Sequence, residues 1–166
     1  MKFTLIILPF LLFISCSQEV NNTDKSLITK STSEVDQFEV VKRNQLHKAY
    51  WSKRTKEAQG IRDRGYGLVN NEKQLLFDSD SLLNVVYKDL KRILPKQQFG
   101  SLKSSQSEWI KYKEKKFNEI WKENDPMFQG EMGLTVKYHS QEEIIEKKLL
   151  ELIELLETAQ STQLSK

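Results

Sequence analysis

The sequence predicts an all-α protein, a small antiparallel bundle of three to four helices behind a signal peptide and a flexible tether. Three observations carry this expectation. Apolar residues recur at intervals of three and four along most of the chain, the spacing that lines one helix face. Charged residues make up 30% of the 166 positions, beside only 6 Gly and 3 Pro, which favours solvated helices over a sandwich or barrel. Most Gly and Pro residues fall between the periodic runs, where they punctuate rather than interrupt them.

The chain opens MKFTLIILPFLLFISCS. Lys2 precedes an apolar run from Phe3 to Ile14 that is too short for a bilayer span, which takes about 20 residues. This is the pattern of a secretory signal peptide, assigned to residues 1–15. Ser15 directly before Cys16 resembles a bacterial lipobox, with Phe13 where Leu is usual and Leu12 one place earlier. The resemblance implies that Cys16 becomes a lipid-bearing N-terminus and anchors the protein to a membrane of the cell envelope. In a Gram-negative host the anchor would be in the outer membrane or face the periplasm, and Ser17 is compatible with outer-membrane sorting. The alternative is an ordinary signal peptide followed by a stray thiol. Cys16 is the only cysteine, so no intramolecular disulfide can form. A lone cysteine in an exported chain calls for a reason, and lipidation supplies one.

Residues 16–33 are polar, rich in Ser, Thr and Asn, and without an apolar period, which predicts a flexible tether. Residues 34–69 read as an additional helix and loop. Val35, Phe38, Val41, Gln45, Leu46, Ala49 and Tyr50 form the helix's apolar face, Gly60 stops it, and GIRDRGYGLVN is the loop. The second helix runs from Asn71 to Leu94, capped by Asn70 or Asn71 and ended by Pro95. Leu75, Leu76, Leu82, Leu83, Val86, Leu90, Ile93 and Leu94 supply its buried face. The third helix runs from Lys96 to Glu123, with Trp109, Phe117 and Trp121 as core residues rather than a ligand cage. ENDPMFQGEMGLTVKYH then reads as a long loop. Ser140 and Glu143 form a capping box that starts the last helix. That helix ends near Ala159, with residues 160–166 frayed, and its stripe includes Ile144, Ile145, Leu149, Leu152, Leu155 and Leu156.

The chemistry-bearing residues argue against several functions. A net charge of +3 is not the strongly basic footprint of a nucleic-acid binder. His47 and His139 stand alone in the sequence. No nucleophile–base pattern, metal-spaced cluster or phosphate loop is present, so no catalytic residue, metal or cofactor is assigned and a non-enzymatic protein is expected. Glu142 and Glu146 would form a glycosidase-type carboxylate pair only if they faced a cleft.

Two runs carry a family resemblance. In the first, Asp80, Leu83, Asn84, Tyr87 and Leu90 are spaced three and four apart; in the second, Leu102, Gln106, Trp109, Tyr112 and Lys113 follow a similar step. Together they resemble the LprI family of bacterial envelope proteins, over roughly Asn70 to Leu156. The resemblance implies a small helical domain (residues 70–159) and, from the family's name, lysozyme inhibition by direct protein binding. The chain departs from the family at Lys113, where Arg is usual, and near Phe117, where members carry a cysteine. Without that disulfide the core alone must hold the domain. Physically, Asp80, Leu83, Asn84, Tyr87, Leu90, Gln106, Trp109 and Tyr112 read as structural. Asn84 and Gln106 are expected to accept from or donate to buried Tyr and Trp, locking the second helix to the third.

Charge is unevenly distributed. The last helix carries Glu142, Glu143, Glu146, Glu151, Glu154 and Glu157, a face to offer a basic lysozyme. The first helix carries Lys42, Arg43, Lys48, Lys53, Arg54 and Lys56 beside Tyr50 and Trp51. That face is the basis for a second expectation, a scaffold module meeting cell-wall polymer or an anionic membrane surface.

Overall fold

A computed structural model describes residues 22–124 and 126–164, and the side-chain surroundings of residues 42–124 and 129–162. The signal peptide, Cys16 and the first residues of the tether lie outside the described residues. Four helices follow in order: α1 (Asn22–Arg64), α2 (Leu68–Ile93), α3 (Lys96–Glu123) and α4 (Pro126–Leu164). No strand occurs among the described residues, and the fold class is all-α as predicted.

The connections between helices are short, so neighbours in sequence run antiparallel. Arg54 of α1 meets Asp78 of α2, while Arg62 meets the earlier Glu72. α2 and α4 are therefore parallel, and they form the central contact. Leu75, Leu82, Leu83, Val86, Leu90 and Ile93 of α2 are buried with Ile145, Leu149, Leu152, Ile153 and Leu156 of α4. Each such side chain removed from water stabilises the fold by roughly 1.5–3 kcal/mol. The face predicted for α2 is thus the face that is buried, with Leu76 half-buried at its edge. α3 contributes only Leu102 and Gln106 as buried residues, with Phe99, Trp109 and Phe117 packed against the core from one side. Trp121 was expected in the core but is 51% exposed, at the far end of α3 beneath the ammonium of Lys137.

Helix boundaries differ from expectation in three places. α1 begins at Asn22, inside the stretch predicted to be a tether, and passes through Gly60 to Arg64. No Gly or Pro interrupts residues 22–59, and one helical glycine costs only about 1 kcal/mol. The turn is confined to 65–67, where Gly65 and Gly67 have φ of 74° and 70°, left-handed values that favour glycine. Gly67, not Asn70 or Asn71, occupies the N-cap of α2. Asn71 is buried instead, donating from Nδ2 to the Ala58 carbonyl at 3.3 Å and to Glu72 at 3.1 Å.

The third difference is the predicted long loop before the last helix, which is largely helical. α4 starts at Pro126, a first-turn position where the missing N–H has no partner to lose. It breaks at Gly130, whose φ of 58° and ψ of −142° suit glycine almost alone. Ser140 lies well inside the helix, so its side chain caps nothing, and the helix continues past Ala159 to Leu164.

Candidate functional site

The site is built by the face α1 turns inward. Asn44, Trp51 and Ala58 are buried along it, a seven-residue repeat, and Arg43, His47, Arg54 and Arg62 flank them. The predicted stripe points the other way: Leu46 is 57% exposed and Tyr50 48% exposed. Gln45 and Ala49 are exposed with them, and the side chains of Val35, Phe38 and Val41 lie outside the described residues. The reason is tertiary. α2 and α4 bury their leucines against each other, and the flank they leave to α1 carries carboxylates.

Those carboxylates receive the basic residues of α1 in antiparallel order. Asp89, whose side chain is 3% exposed, takes Arg43 at 3.5 Å and His47 Nε2 at 3.1 Å. Arg54 Nε donates to Asp78 at 2.6 Å, with both side chains largely buried. Arg62 donates from Nε and Nη2 to the two oxygens of Glu72, each at 2.8 Å. On the α4 side, Trp51 Nε1 donates to Glu146 Oε1 at 3.0 Å, and Lys48 pairs with Glu157.

A groove of about 360 Å³ opens between α1 and α4 beside this seam, lined by Thr55, Lys56, Gln59, Arg62, Leu75, His139, Glu142, Glu143 and Glu146. His139 does not stand alone, as its sequence context suggested. Its Nδ1 lies 3.2 Å from Glu72 Oε2 and 3.2 Å from Arg62 Nη2, and its Nε2 lies 3.7 Å from Glu143. Burial pushes the Glu72 carboxyl up, but the hydrogen bonds and charge of Arg62 outweigh it and hold the group below the ordinary glutamate range. The same hydrogen bonds raise Arg62.

Glu142 differs from the other buried, unpartnered oxygens of the described residues in belonging to a carboxyl group. It is 2% exposed, and its Oε1 has no hydrogen-bond partner. Burial, reinforced by the nearby charge of Glu146, pushes its carboxyl up to about 8. Glu142 and Glu146 both line this groove, with Glu146 held by Trp51 and Oε1 of Glu142 buried. The six glutamates of the last helix nevertheless do not make one open acidic face. Glu142 is buried, Glu146 holds Trp51, Glu157 pairs with Lys48, and Glu151 accepts from Lys148 at 3.1 Å. Glu143 and Glu154 remain exposed. Among the described residues no group of three or more His, Cys, Asp or Glu is placed to hold a metal ion. No helix there is long and apolar enough to cross a membrane.

The family model described as "Lysozyme inhibitor LprI" matches residues 69–152. The chain belongs to the LprI family. No curated protein and no solved structure matches it. The match begins at α2 and ends within α4, close to the Asn70 to Leu156 expected from the two runs. The basic helix α1 lies outside the LprI match and docks on its acidic flank.

Among the LprI motif residues, the contact that ties α2 to α3 is ionic rather than the expected amide-to-aromatic lock. Lys113 Nζ pairs with Asp80 at 3.4 Å and lies 5.4 Å from the Trp109 ring and 5.8 Å from Phe117. Asn84 is turned back to the Asp80 carbonyl at 2.8 Å, and Gln106 is buried with Oε1 unpartnered. Leu83 and Leu90 are core residues, Tyr87 packs on Phe99 with ring centroids 5.6 Å apart, and Tyr112 is half-exposed.

Glu142 makes the fold's stability depend on pH. Its folded-state carboxyl titrates at about 8, above the ordinary glutamate value of 4.5, so its contribution is complete below 4.5 and is lost as pH rises through 8. Glu142→Gln, which mimics the neutral carboxyl, is expected to raise the melting temperature at pH 8 while leaving it nearly unchanged at pH 4. Each kcal/mol relieved amounts to about 2–4 °C in a chain of this size. Equal shifts at both pH values, read by thermal circular dichroism, would contradict a buried ionisable carboxyl.

Proposed function

We propose that this protein is a non-enzymatic inhibitor that binds lysozyme directly. The observation that carries the reading is membership of the family described as lysozyme inhibitor, over nearly all of α2, the whole of α3 and much of α4. Lysozymes of the animal type are basic, so a complementary surface is acidic. The net charge of +3 gives no long-range attraction, which favours a local site over steering by the whole molecule. The groove beside Glu142, Glu143 and Glu146 is that local site.

A second reading keeps one specific observation. The outward face of α1 presents Leu46 and Tyr50 among the exposed Lys42, Lys53 and Lys56, an amphipathic basic surface suited to anionic lipid or cell-wall polymer. Either activity fits a protein held at the cell envelope by lipid on Cys16, the localisation we propose from the apolar run that precedes that residue.

The discriminating assay is lysis of cell walls by lysozyme, with the lipid-free chain from Ser17 as titrant at low and physiological salt. Saturable inhibition is expected, weakened about tenfold by Glu143→Lys, which is about 1.4 kcal/mol. A folded, helical chain that inhibits no class of lysozyme would sink the inhibitor reading and leave the α1 surface as the working site. For the anchor, Cys16→Ser is expected to move the protein from the membrane pellet to the soluble fraction. Unchanged pelleting would mean that something other than lipid on Cys16 holds it there.

A further inference from the structure

We propose that the groove between α1 and α4 recognises a single basic side chain, an arginine or lysine presented by the bound enzyme, and that Glu142 is its acceptor. This deepens the reading of the protein as a lysozyme binder and rests on it.

The starting point is a polar group with no structural employment. Glu142 is almost wholly buried, and Oε1 makes no hydrogen bond. Buried side-chain oxygens nearly always have a partner, because desolvating one without replacement costs about 1–3 kcal/mol or more. An apolar residue at this position would carry no such penalty. The neighbouring polar groups are already engaged elsewhere: Arg62 by both oxygens of Glu72, and Glu146 by the indole of Trp51.

Carboxylates outnumber unpaired cations around the groove. Glu142, Glu143 and Glu146 face the groove, whereas Arg62 is matched by Glu72 and Lys56 lies exposed at the rim. A volume of about 360 Å³ is at the low end of the range for ligand pockets. It suits one extended side chain rather than a folded cofactor. A planar guanidinium donates to two carboxylate oxygens at once, which makes arginine the better fit and lysine the weaker one.

Recognition is coupled to a proton. Burial holds the Glu142 carboxyl neutral near pH 7, and an arriving cation favours its ionised form. The cation therefore displaces the proton, and binding tightens as pH rises toward 8. The other charged groups facing Glu142 are Lys56 and Arg62 from α1, Glu72 from α2, and His139, Glu143 and Glu146 from α4. The pH dependence that remains in Glu142→Gln is the share of these other groups.

L-argininamide is the probe. Titrated into the mature protein at pH 8, it is expected to shift the His139 ring and Trp51 indole resonances saturably, with a Kd of about 1 mM. The Kd is expected to rise about tenfold at pH 6 and at least tenfold in Glu142→Gln at pH 8, with the helical circular dichroism unchanged. L-citrullinamide, which keeps the α-amine but has an uncharged urea in place of the guanidinium, is expected to leave both resonances in place. No saturable shift with L-argininamide at pH 8, the same Kd in Glu142→Gln, or equal shifts from L-citrullinamide would each overturn the proposal. Lysozyme inhibition measured in parallel separates the two claims. Inhibition without argininamide binding removes this groove and keeps the inhibitor, whereas argininamide binding without inhibition keeps the groove and removes the inhibitor.

Discussion

The ion pairs between α1 and the α2–α4 pair are the contact on which the groove depends. Asp89, Asp78 and Glu72 stand along α2, and each takes a basic side chain from α1 in antiparallel register. Among the described side chains of α1, only Trp51 and Ala58 are buried apolar residues. A seam of this kind is a poor source of net stability, because desolvating the charges cancels much of their attraction. It is a strong source of specificity. Sliding α1 by one turn would leave Asp89, at 3% exposure, buried with the wrong partners. The seam thereby sets the position of Arg62 and Trp51, which in turn fix Glu72 and Glu146 on either side of Glu142.

The division of labour follows from composition. The leucine-rich faces of α2 and α4 are matched to one another and form a core without help from a disulfide, which the single Cys16 cannot provide within the chain. α3 and α1 then complete the bundle by different means. α3 leans on the core through Phe99, Trp109 and Phe117, and the Lys113–Asp80 pair ties it to α2. α1, which lies outside the family match, docks by charge. An element attached in that way has a polar interface with α4, and a polar interface is where a groove lined by ionisable groups forms.

Much of the fold was legible in the sequence. The extent of α3, about Lys96 to Glu123, was legible because Pro95 is a local signal and the apolar period that follows it is clear. The buried leucines of α2 and α4 were legible for the same reason. The inner face of α1 was not. Apolar periodicity selects Leu46 and Tyr50, whereas the buried stripe is Asn44, Trp51 and Ala58 among arginines. Nothing local distinguishes an arginine that meets a buried aspartate from one that meets water. Pro126, Gly130 and Gly133 together read as a loop, yet only Gly130 takes a non-helical conformation. Glu142 and Glu146 were visible as a pair; that they share a groove, and that one of them is buried and unpartnered, depends on α1 being where it is. The signal that would have pointed there is the order of charges, with basic residues ascending through α1 as their acidic partners descend through α2.

Hydrogen exchange along α1 tests this account most directly. In Asp89→Asn, breaking a buried pair at a cost of about 3 kcal/mol should raise exchange about a hundredfold in peptides from residues 42–64. Peptides from the α2 and α4 core should keep their protection, because α1 would open as a separate unit. Unchanged exchange in α1 would mean that Trp51 and Ala58, not the ion pairs, hold the helix. An equal rise in every helix would mean that α1 and the core open as one, and the account of α1 as a helix docked by charge would be wrong.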